Sequence, residues 1–360
     1  MEIINKKILA LHKKKLKTPA IQRELKAKHN IVMSEYYIKK IILESSDTES
    51  DKDLVDYKIM VSSHRTKKEN SSLKKQTNYL KNKLAFEQEL KEILTKNKKI
   101  PKVRSSRPLS NSQDKVVEIV LSDIHIGLKT KSFDFSSVVK GLDKIANKVN
   151  SLKPSKIIIA SLGDVIHSSF MHQRQWESCE MTDAEQVYYA IEVMNDFLKK
   201  LKCSNILFIG IAGNHDRVHR DKTNHNVGTS YFTYTIYKAL SLMNPSVSFI
   251  IPDDSYHVEK ILGKNYLFEH GDYASKFHMT DIGNHVRKRE KLFNKEIFGF
   301  RMGHYHSART LLDGRYLCNG SFVTNDQYAD SNGFGDGEAP TQIIVEHTKE
   351  NYLIHFFNIR

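Results

Sequence analysis

Five short segments of this sequence gather residues that bind hard or borderline metal ions. They are Ser122-Asp123-Ile124-His125, Gly163-Asp164-Val165-Ile166-His167, Gly213-Asn214-His215-Asp216, Glu269-His270-Gly271-Asp272 and Gly303-His304-Tyr305-His306. Carboxylate, imidazole and amide oxygen together suit a divalent transition ion such as Mn²⁺, Fe²⁺ or Zn²⁺. Cys179, Cys203 and Cys318 are far apart and form no Cys-x-x-Cys pair, which argues against a structural zinc finger or a disulfide framework. Alternate residues of an extended segment point the same way, so Asp123 with His125, and His304 with His306, are expected to converge from extended backbone. Glycines at 127, 163, 213, 271 and 303 leave room for tight turns beside them. One such segment is an ordinary surface turn; five in order, each after a strand-like run, describe a site.

The elements that must carry these segments alternate. Apolar, β-branched runs at 116–121, 157–160 and 206–211 predict strands, with helices expected over 136–150 and 182–201 and another after 230. Shorter strand-like runs follow at 247–251, 257–261, 266–268 and 298–301, and 342–346 with 352–356 read as a closing hairpin. Alternation first and strand-rich sequence later predict a layered α/β architecture with mixed sheets. The carboxyl end of a strand is where such a sheet places its chemistry.

The first third differs in character. Of 360 residues, 1–105 hold 26 Lys+Arg against 13 Asp+Glu, whereas the remainder holds 30 against 29, so nearly all of the net charge of +14 lies at one end. Such asymmetry is the footprint of a polyanion-binding appendage on a near-neutral body, and a solvated basic tail is the alternative. Residues 1–45 read as three short helices. Thr18 caps the second, ahead of Pro19, and Ile21 and Leu25 share a face. Three short basic helices resemble a helix-turn-helix unit, whose third helix would meet DNA through Tyr36, Lys39 and Lys40. Residues 46–112 read as a basic helical linker, and a catalytic domain is expected over 113–360. Leucines at 73, 80, 84, 90 and 94 do not keep a heptad register, so self-association through the linker is a secondary expectation. No apolar run approaches membrane-spanning length and no signal-peptide pattern opens the chain. A cytoplasmic protein with no membrane partner is expected.

The five segments, taken as Asp123-x-His125, Gly163-Asp164-x-x-His167, Gly213-Asn214-His215-Asp216, His270-Gly271 and Gly303-His304-x-His306, resemble the calcineurin-like metallophosphoesterase superfamily. The resemblance covers about 116–357, and Asn319-Gly320-Ser321 is similar to that family's closing turn. It implies a four-layer α/β/β/α sandwich, here with a small all-α basic N-terminal module, and a binuclear centre. One ion would be held by Asp123, His125, Asp164 and His306, and the other by Asp164, Asn214, His270 and His304. The implied cofactors are two divalent ions, Mn²⁺ ahead of Fe²⁺ or Zn²⁺. Solvent hydroxide between them is the implied nucleophile, and His215 matches the family's general acid. His167 and Arg217 are expected to touch substrate; a surface ion pair is the other reading for Arg217. The repair-exonuclease branch often has an acid at the place of His167, yet Ser122-Asp123-Ile124-His125-Ile126-Gly127 is similar to the opening of SbcD-type repair exonucleases. Trp176 reads as a core aromatic, with stacking on a base as the alternative.

These observations imply a phosphodiester hydrolase acting on nucleic acid, with DNA preferred because of the helix-turn-helix resemblance. Two alternatives stand beside it. One is a small-molecule or cyclic-nucleotide phosphodiesterase or phosphatase with a basic localisation arm. The other is a DNA-binding regulator whose phosphoesterase domain is inactive, against which the intact ligand set argues.

Overall fold

A computed structural model describes residues 2–29, 31, 33–34, 37–38, 41–42, 74, 77, 81, 84–86, 88–93, 115–218, 231–274, 277–323 and 339–360. The chain divides into two compact units, Met1–Leu84 and Ala85–Arg360.

In the first unit, helices α1 (Glu2–Lys13) and α2 (Thr18–His29) precede a short helical stretch that includes residues 37–38 and 41–42. Ile8, Ile21, Leu25 and Ile38 are fully buried together. Burying each such side chain contributes roughly 1.5–3 kcal/mol against the entropy of ordering the helices. Tyr36, Lys39 and Lys40, the expected DNA-reading residues, lie outside the described residues.

The second unit is built on two sheets. The first has the order β11-β10-β1-β2-β3-β4 and the second β5-β6-β7-β9-β8. Strands β1 (Val116–Leu121), β2 (Lys156–Leu162), β3 (Ile206–Ile211) and β4 (Ser248–Ile250) run parallel. The hairpin β10 (Thr341–His347) and β11 (Tyr352–Asn358) adds antiparallel to β1. In the second sheet β6 (Lys264–Glu269), β7 (Gly299–Met302) and β9 (Tyr316–Cys318) are parallel, flanked by antiparallel β5 (Tyr256–Ile261) and β8 (Arg309–Leu311).

Strand periodicity explains the layering. In β1, Val117, Ile119 and Leu121 pack with α3 (Phe135–Ser151), α4 (Asp183–Lys200) and α5 (Phe232–Met243). Val116 and Val120 face the other way, toward Tyr266, Phe268 and Leu317 of the second sheet. The outer face of that sheet, with Leu267, Phe300 and Met302, is covered by α6 (Met279–Phe293) through Ile282 and Val286. The result is the α/β/β/α order that the resemblance implies. Helices α3 and α4 begin at capping boxes, on Asp134 with Ser137 and on Thr182 with Glu185, each worth about 1 kcal/mol.

Residues 84–86 and 88–93 are helical, so the end of the expected linker belongs in part to this unit. Phe86 lies 5.1 Å from Phe232, ring to ring, and Leu90 packs on the same core. Glu89 accepts a 2.6 Å hydrogen bond from Thr182, the cap of α4. Phe86 and Leu90 are four residues apart on one helix face, so a single turn delivers both.

Candidate metal centre

The loops that follow β1, β2, β3, β6 and β7 carry the five segments, and their backbone is not extended. Asp123, His125, Asp164, His304 and His306 have φ of 54°, 52°, 51°, 72° and 57°. The convergence expected from extended backbone is therefore corrected. β1 ends at Leu121, and beyond it the amide of Asp123 donates to Gly163, while Ile124 and His125 both donate to the carbonyl of Asp164 (2.9 and 3.0 Å). Left-handed residues at alternate positions turn the chain around its own side chains, and that turning brings Asp and His together. Such φ values in residues bearing a Cβ are strained by about 1 kcal/mol or more each.

Two groups of donors result. Asp123, His125 and His306 present ligand atoms all within 4.8 Å of one another, and so do Asp164, His270 and His304. In the first, Nε2 of His125 lies 3.1 Å from Nε2 of His306, which is 3.4 Å from Oδ1 of Asp123. In the second, Nε2 of His270 lies 3.2 Å from Oδ2 of Asp164 and 3.0 Å from Oδ1 of Asn214. His270 donates from Nδ1 to the carbonyl of Leu162 at 2.7 Å, which fixes its tautomer and leaves Nε2 facing two oxygens.

These donors fit a cation. Asp123 and Asp164 are buried, and among the described residues no Lys or Arg pairs with either; their charged contacts are His306 and His270. Burial, then the neighbouring imidazoles of His215 and His306, hold His125 well below its ordinary value, so it keeps a lone pair. Burial and His270 bring His304 down to about 4. Burial works against a proton on His270 too, but the Asp164 carboxylate outweighs it and lifts that ring to about 10. A proton on His270 does what a metal ion would do better: it places positive charge between two buried oxygens.

Other residues hold the donors in place. Asp216 accepts from the amides of Gly213, Asp164 and Val165 (2.7, 2.7 and 3.0 Å) and so staples the β2 and β3 loops together. A Cβ on Gly213 would meet Oδ1 of Asp164 at 2.2 Å, and one on Gly303 would meet Oδ2 of Asp123 at 2.6 Å. Both glycines therefore make room for a carboxylate. Ser321 Oγ donates to the carbonyl of Asp123, and Asn319 donates to Ser122 Oγ and to Gln342 Oε1. Gln342 is unmarked in the sequence: its only signal is an amide inside the apolar strand β10.

His215 donates from Nδ1 to the carbonyl of His167 at 2.8 Å, and its own amide donates to Asp164 Oδ1 at 2.8 Å. Gln175, likewise unmarked in the sequence, is buried and donates to the carbonyls of His167 and Ser168, with its amide nitrogen 3.0 Å from Nδ1 of His215. His167 lies behind His125: its Nδ1 is 3.3 Å from Nδ1 of His125 and its Nε2 3.2 Å from Ser178 Oγ. Both of its ring nitrogens have protein partners, so it braces His125 in this structure. His125, His167 and His215 also present ring nitrogens within 4.8 Å of one another. Arg217 is buried and pairs with Asp272, and its Nε donates to the Tyr231 hydroxyl at 3.3 Å, while Nη1 has no hydrogen-bond partner among the described residues. Glu269 turns away from the centre and takes Arg289 and His285 of α6 (2.6 and 2.7 Å). Trp176 is 64% exposed, so the core-aromatic reading is corrected. It stands on a single 3-10 turn, Gln175–Ser178, in which Gln175 takes the buried position.

Residues 119–333 match the family model for calcineurin-like phosphoesterases. No curated protein matches the chain. Among solved structures the chain is similar to an archaeal phosphodiesterase, at 14% identity over 67% of this chain and 99% of that one, with a TM-score of 0.34. It is also similar to a Streptococcus pneumoniae protein described as a predicted phosphoesterase (14% identity, 69% and 92% covered, TM-score 0.33). A third is vacuolar protein sorting 29 from Cryptosporidium parvum (11% identity, 68% and 100% covered, TM-score 0.36). None of these likenesses bears on substrate.

Proposed function

The chain belongs to the calcineurin-like phosphoesterase family and is a metal-dependent phosphoesterase, and from that premise we propose that it hydrolyses phosphodiester bonds of nucleic acid, DNA foremost. The observation that carries the substrate is charge: residues 1–105 hold 26 basic against 13 acidic side chains, while the rest is balanced. Lys and Arg against phosphates give salt-sensitive, largely sequence-independent affinity.

Asp123, His125, Asp164 and His306 would hold one divalent ion, and Asp164, Asn214, His270 and His304 a second, with Mn²⁺ the first choice for this donor set. Such ions, when bound, lower the pKa of water and offset charge on phosphoryl oxygens. The protein's part is positional. His215 has one nitrogen committed to the His167 carbonyl, so its other nitrogen is the one to give a proton to the leaving oxygen. His167 braces His125, Gln175 donates to the same His167 carbonyl that His215 binds, and the Arg217 guanidinium, held by Asp272 and Tyr231, lies two residues past His215.

The site itself needs no residue before Asp123, which favours one second reading: a small diester such as a cyclic nucleotide. The test compares Mn²⁺-dependent cleavage of single-stranded DNA, duplex DNA, RNA and bis-p-nitrophenyl phosphate by the full chain, His215→Ala and Asp164→Asn. Polynucleotide cut by the wild type and by neither variant supports the proposal. Cleavage of the small ester alone sinks it and leaves the basic arm as a localisation element.

A further inference from the structure

Exposed aromatic side chains in the second unit gather on the site loops. Among the described residues of that unit, the large exposed aromatics are Trp176, Tyr273, Tyr305 and Phe356. Three of these four stand on loops that carry candidate ligands or the residues that position them. Tyr305 lies between His304 and His306, with its ring 5.3 Å from that of His304. Tyr273 follows Asp272, the partner of Arg217. Trp176 lies between Gln175, which touches His215, and Ser178, which touches His167.

The turn that carries Trp176 is fixed on both sides. Gln175 Oε1 accepts the amide of His172 at 2.7 Å, and the ring of His172 lies 5.5 Å from that of His215. Lys129 donates to the carbonyl of Ser178 and Glu180 donates to that of Gly127, both at 2.8 Å, which ties the turn to the loop that follows His125. A fixed turn that leaves the largest apolar side chain in water presents that side chain. Arg174, exposed at the start of the turn in the left-handed region (φ 64°), pairs with Glu177 of the same turn at 2.7 Å and flanks the indole.

Resting on the nucleic-acid reading of the site, we propose that Trp176, Tyr273 and Tyr305 form an aromatic rim that stacks unpaired bases on either side of the scissile phosphate, so that the substrate is single-stranded nucleic acid or an unpaired end. Every base has a π-face, so a rim of this kind takes any sequence, whereas a paired base has its faces already covered by its neighbours. Arg174, exposed beside Trp176, can exchange Glu177 for a phosphate between those bases.

Trp176 is the sole tryptophan of the chain, which makes the test direct. Oligothymidylate is titrated into the full chain carrying Asp164→Asn, so that the strand stays intact, and tryptophan emission is followed. The proposal expects saturable quenching by the single strand, and weak quenching by an abasic strand of equal length or by duplex. Trp176→Ala is expected to weaken single-strand binding about 10-fold by a fluorescent-strand assay, while Trp176→Phe restores most of it. Tyr273→Ala and Tyr305→Ala act in the same direction. Equal quenching by abasic strand and duplex, or Trp176→Ala binding as the parent does, overturns the rim; if polynucleotide is still cut, the nuclease reading survives it. Quenching by oligonucleotide without any cleavage by the wild type keeps the rim and removes the nuclease.

Discussion

Glu118, Arg301 and His347 lie buried between the same two sheets that carry Asp123, His125, His304 and His306 at their ends. Both clusters combine carboxylate and imidazole, and both draw residues from each sheet. In the first, Arg301 donates from Nε to Glu118 at 2.9 Å, His347 meets the other oxygen at 2.8 Å, and Arg301 gives Nη1 to the carbonyls of Phe300 and Arg315. The guanidinium also lies 4.7 Å from the centre of the Tyr266 ring. Burial pushes the Glu118 carboxyl up, but Arg301 and His347 outweigh it and bring it down to about 2. The second cluster has the same acids and imidazoles without a guanidinium. The first cluster contains a permanent counter-charge in Arg301, whereas the second holds only a proton on His270, which a bound cation can displace.

The widest separation between the two clusters is in turnover. Chelating divalent metal, or the change Asp164→Asn, is expected to lower bis-p-nitrophenyl phosphate hydrolysis by about 10³-fold or more, with circular dichroism unchanged; activity that persists after chelation would erase the distinction. Glu118→Gln is expected to do the reverse. It leaves Arg301 buried without a charged partner, so urea unfolding should show a loss of about 3–5 kcal/mol, while kcat of the folded fraction stays within about twofold. Acid sharpens the contrast. The Glu118 carboxyl sits at about 2 in the fold against an ordinary 4.5, so its contribution, on the order of 3 kcal/mol, is complete above pH 4.5 and lost as pH falls through about 2. The stability gap between wild type and Glu118→Gln should therefore narrow from pH 4.5 downward, and a gap constant from pH 7 to pH 2 would show that Glu118 is not ionised. The smallest effect concerns the brace behind a ligand. His167→Asn is expected to raise the Mn²⁺ concentration for half-maximal activity by about 10- to 100-fold, and an unchanged metal titration would place His167 outside the centre.

Much of the site was legible because each ligand segment directly follows an apolar run. The run at 116–121 is β1 itself, so Asp123 and His125 had to lie just past a strand end. What sequence could not supply was the backbone: Asp-x-His is compatible with extended and left-handed chain alike, and only the hydrogen bonds to Gly163 and Asp164 decide. Gln342 escaped notice because it acts across the fold, and Gln175 because an amide in a polar loop carries no mark of the carbonyls of His167 and Ser168 that it binds. Gln342 reaches Ser122 from 220 positions away, and an amide in a strand carries no mark of its partner. Glu118 is a lone carboxylate inside an apolar strand, and its neighbours in sequence do not mark Arg301 or His347 as its partners. Helix α6 has only Ile282 and Val286 buried, too narrow a stripe for periodicity to reveal. The exposure of Trp176 depends on Gln175 taking the inward position, a choice between neighbours that composition does not make.

The left-handed backbone at Asp123, His125, Asp164, His304 and His306 also shapes how this sequence can drift. Asparagine and glycine tolerate that region better than the residues present, so several of the mutations that relax the chain most are the ones that remove a ligand. Selection for heat resistance alone would erode the centre first, because stability and catalysis compete at the same five residues.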